Sequence, residues 1–306
     1  MSKTAIAGPS HTIPRSALLA GLAIAIGGAV LFSTKAIVAK LLYRYNIDAI
    51  TVIGFRMFFS VPVFAAIAIW QMRNQPALAA RDRWRIVGLG LIGYYVSSTF
   101  DFLGLQYISV GLERLILFLT PTFVLLMTSI FLKRHISRIE WLAMATSYAG
   151  IVLVFAHDVR TGKGAVVTGA LLVLGAAISY GLYLLFSGEL VRRVGSLRLV
   201  AYAMCVASAA CIAQFFALRP AALLIQPAPV YWLSLVNAIF CTILPVFMTM
   251  IAVQRIGAPS ASQAGMVGPV STLFLGALVL GEPITAIQLA GTALVLAGIY
   301  MLSKKT

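Results

Sequence analysis

The sequence predicts an all-α polytopic membrane protein: ten transmembrane helices arranged as two inverted five-helix repeats. Three observations predict it. Of 306 residues, 61% are hydrophobic and 10% charged, against about 25% charged in an ordinary soluble domain. The apolar residues fall into runs of roughly 20, the length that crosses ~30 Å of hydrocarbon at 1.5 Å per residue. The sequence also matches itself without gaps on a shift of 148 residues.

The ten runs are 18–39, 48–70, 85–107, 110–132, 138–156, 165–187, 198–218, 230–254, 258–280 and 284–302. Their connections are short and leave no room for a soluble domain. The expected organisation is a tail at 1–17, a first repeat at 18–156 and a second at 165–303. The first run is too long for the apolar core of a cleavable signal, and no small-residue cleavage site follows it, so it is expected to act as its own insertion signal. Cys205, Cys211 and Cys241 all lie inside runs, and no Cys-x-x-Cys or His/Cys cluster suggests a disulfide framework or a zinc site.

A formal charge of +15 would suggest nucleic acid in a soluble chain. Its distribution suggests a topology instead. With the N-terminus in the cytoplasm, the cytoplasmic segments carry Lys3, Arg15, Arg73, Arg81, Arg83, Arg85, Lys133, Arg134, Arg138, Arg192, Arg193, Arg198, Arg255, Lys304 and Lys305, whereas the other side carries Lys40, Arg44, Arg160, Lys163 and Arg219. Cytoplasmic loops hold the Lys/Arg excess in membrane proteins. A multi-pass protein of the cell (inner) membrane with both termini cytoplasmic is expected. No nucleic-acid partner is expected; the basic residues touch anionic lipid.

The internal match superposes Gly27 on Gly175, Arg44 on Arg192, Trp84 on Trp232, Gln106 on Gln254 and Pro121 on Pro269, and Ala149-Gly150-Ile151 on Ala297-Gly298-Ile299. Each half has an odd number of runs, so the second must enter the membrane from the opposite side. Inverted repeats are a recurring design of transporters, with the site near the midplane between them. A duplicated membrane protein that carries nothing is the competing reading.

Ionisable residues inside runs are costly unless they face a cavity or a partner. They are Lys35, Arg56, Asp101, Glu113 and Arg114, and their partners at the 148-residue shift, Tyr183, Met204, Thr249, Ala261 and Ser262, are uncharged. All five fall in the outer half of the membrane and are expected to form one network. In the functional reading, Lys35, Arg56 or Arg114 holds an anionic or carboxylate-bearing substrate group, and Asp101 or Glu113 couples to protons. In the structural reading the network is a set of ion pairs, such as Arg114 with Asp101, that closes an outer gate.

Tyr94, Ser97, Ser98 and Asp101, at offsets 0, 3, 4 and 7, share a helix face that either lines a water path or makes interhelical hydrogen bonds. Tyr180, Tyr183, Asn237, Thr249, Ser262 and Gln263 are candidates for the opposite wall. Pro121 and Pro269 occupy matching places in the fourth and ninth runs and are candidate hinges; static kinks are the alternative. No Gly-rich phosphate loop, nucleophile elbow or His-Glu-x-x-His motif is present.

The segment Leu280-Gly281-Glu282-Pro283-Ile284-Thr285 and the closing stretch from Gly291 to Ile299, on a five-plus-five plan, resemble the drug/metabolite transporter superfamily, EamA-type. The first half has a weaker version, from Phe131 to Ile136 and then Ala149-Gly150-Ile151, with Arg134 where the second has Glu282. The resemblance implies a secondary active transporter, an exporter of a small metabolite, amino acid or drug-like compound working by alternating access with proton or gradient coupling. An intramembrane enzyme on lipid-linked substrates and a passive channel are the alternatives. The enzyme would need clustered acidic ligands or a nucleophile–base pair, and most of the 8 acidic residues lie in loops or at run ends. No catalytic residue, metal or cofactor is expected. The expected partners are a small-molecule substrate, protons and membrane lipids, with the chain a monomer or homodimer.

Overall fold

The computed structural model describes residues 15–133, 135–161 and 165–303. Most of the tail at 1–17 and the side chains of Ser262 and Gln263 lie outside the described residues. The described chain is helical. In order, α1 is Arg15–Tyr43, α2 Ala49–Asn74, α3 Ala80–Leu105, α4 Val110–Leu132, α5 Arg138–Thr161, α6 Val166–Val194, α7 Ser196–Leu218, α8 Ala228–Ala264, α9 Val267–Leu280 and α10 Ala286–Ser303. Nine of these are long and apolar enough to cross a membrane among the described residues, and α9 is shorter. Large apolar side chains such as Ile130, Leu171, Leu278 and Trp84 are exposed. A bilayer accepts such a surface because the helices satisfy their own backbone groups.

Local sequence accounts for several boundaries. Asp48 caps α2, accepting from Thr51 N at 3.4 Å and from the Thr51 hydroxyl at 2.5 Å. Ser109 caps α4, accepting from Leu112 N at 3.2 Å. Each satisfies an amide that the first helical turn leaves over. α9 ends at Gly281, whose φ of 73° is a left-handed cap that glycine adopts without a Cβ clash.

The connections after odd-numbered helices gather on one side, here the odd face, and the others on the even face. Arg219 of the α7–α8 connection reaches Asp48 of the α1–α2 connection at 2.6 Å, and Arg44 reaches the Leu280 carbonyl at 3.0 Å. On the even face, Arg193 pairs with Asp82 at 2.8 Å and Arg198 reaches the Pro76 carbonyl at 2.8 Å.

The two halves pack as inverted repeats. α1 lies along α8 and α6 along α3, which is the same contact in the two halves; α2 packs on α7 and α5 on α10. The close approaches repeat residue by residue. A methyl built on Gly150 would stand 2.5 Å from the Gly291 carbonyl oxygen, and one on Gly298 would stand 2.4 Å from the Ala143 oxygen. Adding 148 to 150 gives 298, and subtracting it from 291 gives 143. Gly21 against Ile256 and Gly169 against Ile108 repeat the relation.

α3 contains a π-helical turn at Leu91–Val96 and α8 one at Ile239–Ile243, again 148 apart. Such turns are rare and recur at functional sites. α4 is interrupted between Leu117 and Thr120, so Pro121 sits in the first turn of the resumed helix Thr120–Leu132. The second half breaks at Gly265 and Met266, with Pro269 in the first turn of Val267–Leu275. In a first turn the missing proline N–H costs nothing, so the interruption precedes each proline rather than being a kink at it.

One boundary departs from the sequence reading. The ninth run was expected from 258, but the helix beginning at Leu244 continues to Ala264 and α9 begins at Val267. Ser109, which caps the first-half counterpart, corresponds to Gly257, which has no side chain to cap a new helix.

Candidate functional site

Five ionisable side chains are buried where α1, α2, α3 and α4 meet α8 and α9. Lys35 is 4% exposed, Arg56 6%, Asp101 4%, Glu113 0% and Arg114 3%. α1 supplies Lys35 eight residues before its end, ~12 Å along the axis; Asp101 and Glu113 come from the two sides of the α3–α4 hairpin.

Lys35 Nζ is in contact with Asp101 Oδ2 and lies 3.5 Å from Glu113 Oε1. Two carboxylates therefore share one ammonium. Asp101 Oδ1 and both Glu113 oxygens have no hydrogen-bond donor. Arg114 is not paired with Asp101. Its Nε donates to Thr272 Oγ1 at 3.1 Å and its Nη2 to the Phe32 carbonyl at 2.9 Å. Arg56 Nε donates to Thr242 Oγ1 at 2.7 Å, and Thr242 in turn donates to the Asn237 carbonyl at 3.0 Å.

Two aromatic rings join the cations. Phe32 has Lys35 5.2 Å and Arg114 5.2 Å from its centroid, and Phe102 has Lys35 5.7 Å and Arg56 5.3 Å away. Each such contact contributes about 0.5–2 kcal/mol. Thr242 and Thr272 belong to the second half, so the cluster crosses the seam between the repeats. Sequence reasoning passed over both threonines, because a hydroxyl inside an apolar run carries no charge to mark it.

The other candidates are distributed as follows. Tyr94 donates to Tyr183 at 3.2 Å between the hydroxyls, with ring centroids 4.9 Å apart, and Tyr180 stacks on Tyr183 at 5.6 Å. Ser97 donates to the Ala176 carbonyl at 3.0 Å, an interhelical hydrogen bond. Asn237 is 0% exposed and its side-chain oxygen and nitrogen have no partner.

The tyrosines stand in a definite relation to the charges. Phe32 and Lys35 on α1 correspond at 148 residues to Tyr180 and Tyr183 on α6, and Tyr94 in the π turn of α3 corresponds to Thr242 in the π turn of α8. The same place in the two repeats is thus ionic once and tyrosine-lined once. The signal was present in the shift but was used only for the charges.

At the odd face, Lys40, Tyr43, Arg44, Leu280 and Glu282 line a cavity of about 280 Å³. Glu282 accepts from Val110 N at 3.3 Å. Burial pushes its carboxyl above the usual carboxylate range, while Lys40 and the Val110 N–H pull it back part of the way.

Comparisons with known proteins bear on this arrangement. An uncharacterized transporter, YcbK, of Bacillus subtilis (strain 168) is 31% identical over 278 residues, covering 89% of this chain and 89% of its own. An uncharacterized transporter of Archaeoglobus fulgidus is 26% identical over 264 residues, 85% of this chain and 90% of its own. A solved crystal structure superposes with a TM-score of 0.64 over 94% of this chain and 98% of its own at 16% identity, a likeness of fold alone. The EamA-like transporter family matches residues 19–156 and again 167–304. Matched in both halves, this multi-pass membrane protein belongs to the EamA-like transporter family, whose members carry small molecules.

Proposed function

We propose that the protein is a secondary active exporter of a small metabolite, amino acid or drug-like compound across the cytoplasmic membrane, working by alternating access and coupled to protons or to a solute gradient. The observation that carries this reading is the buried ion cluster at the seam of the two repeats. Sealing five charges in a membrane protein is costly, and a carrier has a use for groups that change partners as it opens. The two matched stretches are the moving units. Rocking one against the other separates Arg114 from Thr272 and Arg56 from Thr242. α4 bends at the interruption before Pro121, and α9 pivots on the end of α8 at the interruption before Pro269.

The even face, which carries most of the basic residues, is taken as cytoplasmic. Lys35 holds both carboxylates in the closed arrangement, and Asp101 or Glu113 accepts a proton when Lys35 moves away. The chain performs no chemistry on its cargo.

The test is counterflow in proteoliposomes with a panel of amino acids, organic acids, nucleobases and cationic drugs, with and without a pH gradient. Saturable counterflow is expected; flux without counterflow would indicate a channel, and turnover without net movement an enzyme. Asp101→Asn and Glu113→Gln are expected to abolish coupling while the protein stays folded. Full proton-driven transport by both variants would sink the coupling assignment.

A further inference from the structure

Charge counting in the cluster separates its three cations. Lys35 is occupied by Asp101 and Glu113. Among the described residues, neither Arg56 nor Arg114 has an acidic side chain in ion-pair contact. Arg114 has a backbone carbonyl and a threonine as acceptors. Arg56 has Thr242 alone, and its Nη1 is buried without a partner. Thr242 in turn donates to the backbone carbonyl of Asn237, whose own side chain is fully buried with both polar atoms unpartnered.

A cation sealed in a low-dielectric interior without a counter-ion is strongly disfavoured. Nothing in the frame requires it. The matching position in the second half holds Met204, 1% exposed and neutral. A buried guanidinium with a free nitrogen, and a free buried amide on the residue that Thr242 ties to it just before the π turn, offer what an incoming carboxylate needs: a planar fork and a further donor.

We propose that Arg56, assisted by the Asn237 amide, is the docking point for the carboxylate of an anionic substrate, with Lys35 excluded from that role by the acids it already holds. This deepens the transport reading and rests on it. The bound carboxylate supplies the missing counter-charge, and Arg114 adds a positive field without direct contact. The site is collapsed in this arrangement and opens as α2 and α8 part.

The experiment is thermal denaturation of the purified full-length chain in detergent, with aliphatic, aromatic, 2-hydroxy and 2-amino monocarboxylates, each beside its primary amide. At least one carboxylate is expected to raise the midpoint at a concentration about tenfold or more below its amide. Arg56→Gln is expected to lose that response while melting, without ligand, at the same or a higher temperature. A structural ion network would instead melt lower. Arg56→Lys keeps the charge without the fork and should weaken the response about tenfold. If Arg56→Gln does not fold, Asn237→Ala carries the test, with a weaker carboxylate response and an unchanged amide response.

No carboxylate response, equal response to acid and amide, or an undiminished response in Arg56→Gln and Asn237→Ala overturns the proposal. The transport reading fails separately, if the wild-type protein in proteoliposomes shows flux without saturable counterflow or turnover without net movement. If Arg56→Gln still shows saturable counterflow of a neutral or cationic solute at the wild-type rate, the chain is a carrier and the carboxylate site is wrong.

Discussion

α1, bearing Phe32 and Lys35, packs against the π turn of α8 at Thr242. α6, bearing Tyr180 and Tyr183, packs against the π turn of α3 at Tyr94. The backbone arrangement at these two places is the same, since both the helix pairs and the π turns are related by 148 residues. The chemistry is not. The first place gathers Lys35, Arg56, Asp101, Glu113 and Arg114; the corresponding residues at the second are Tyr183, Met204, Thr249, Ala261 and Ser262. A duplicated frame allows the two ends of a pathway to exchange shape, and divergence within it allows only one end to be held by ions. The tyrosine seam closes by ring packing and by hydroxyl hydrogen bonds, Tyr94 to Tyr183, Ser97 to the Ala176 carbonyl and Ser179 to the Ile92 carbonyl, which need no counter-ion and respond little to charge.

The largest expected effect comes from removing the charge balance at the ionic seam. Lys35→Met leaves Asp101 and Glu113 buried without their cation. It is expected to lower stability by about 3–5 kcal/mol, read as a drop in the melting temperature of the purified protein. Adding Asp101→Asn should recover part of the loss, because a neutral amide no longer needs the ammonium. If the single variant melts like the wild type, the ion pair does not hold the seam.

The reverse substitution probes the tyrosine seam. Tyr183→Lys places an ammonium where the counterparts of the two acids are Thr249 and Ala261. With no carboxylate at those two positions, it should cost several kcal/mol and fall short of the first effect only by as much as the side chain can snorkel. Tyr183→Phe, which removes only the hydroxyl contact to Tyr94, should cost about 1 kcal/mol. Equal losses for the two variants would show that the seams do not differ in charge tolerance.

The frame was largely legible in the sequence. Helices announce themselves by length and apolarity, and a gapless self-match carries topology with it because spans, loops and prolines must superpose together. The charges were legible because an ionisable residue in an apolar run stands out. Their partners were not. The structural reading offered Arg114 with Asp101 as an example of a pair, but Thr272 and the Phe32 carbonyl receive Arg114, and a backbone acceptor has no signature in sequence. The π turns were equally hidden, since one extra residue in a turn leaves hydropathy unchanged. The late start of α9 follows from a missing cap at Gly257, which a comparison with Ser109 would have shown.

Matched glycines sharpen the comparison from the side of the frame. Gly150→Ala drives a methyl to 2.5 Å from the Gly291 oxygen, and Gly298→Ala to 2.4 Å from the Ala143 oxygen. Both obstacles are backbone and cannot rotate aside. Each substitution should therefore destabilise by about 1–3 kcal/mol, the usual range for overpacking, and the two should agree within about 1 kcal/mol. A large inequality in their melting shifts would mean that α5 and α10 do not share one symmetric interface.

The smallest expected effect lies at the odd face, where the repeats again differ. Asp48 pairs with Arg219 at 2.6 Å, while the corresponding positions hold Ser196 and Gln71. Burial pushes the Asp48 carboxyl up, but hydrogen bonds from Arg219 and Thr51 more than offset it and hold the group below the usual carboxylate range. Hydrogen bonding to Asp48 likewise holds the Arg219 guanidinium above its ordinary value. An acid whose pKa is lower folded than unfolded adds stability above its unfolded value and loses it as pH falls through the folded one. Asp48→Asn should therefore cost at most about 1 kcal/mol at neutral pH, because both side chains are a third exposed and solvent screens them. The deficit should shrink with added salt and disappear in acid below the folded-state pKa. The fragment that survives acid is the N-cap of α2, since asparagine accepts the Thr51 amide as well as aspartate does. A deficit that stays constant from neutral to strongly acid pH would show that it does not arise from the ionised pair with Arg219.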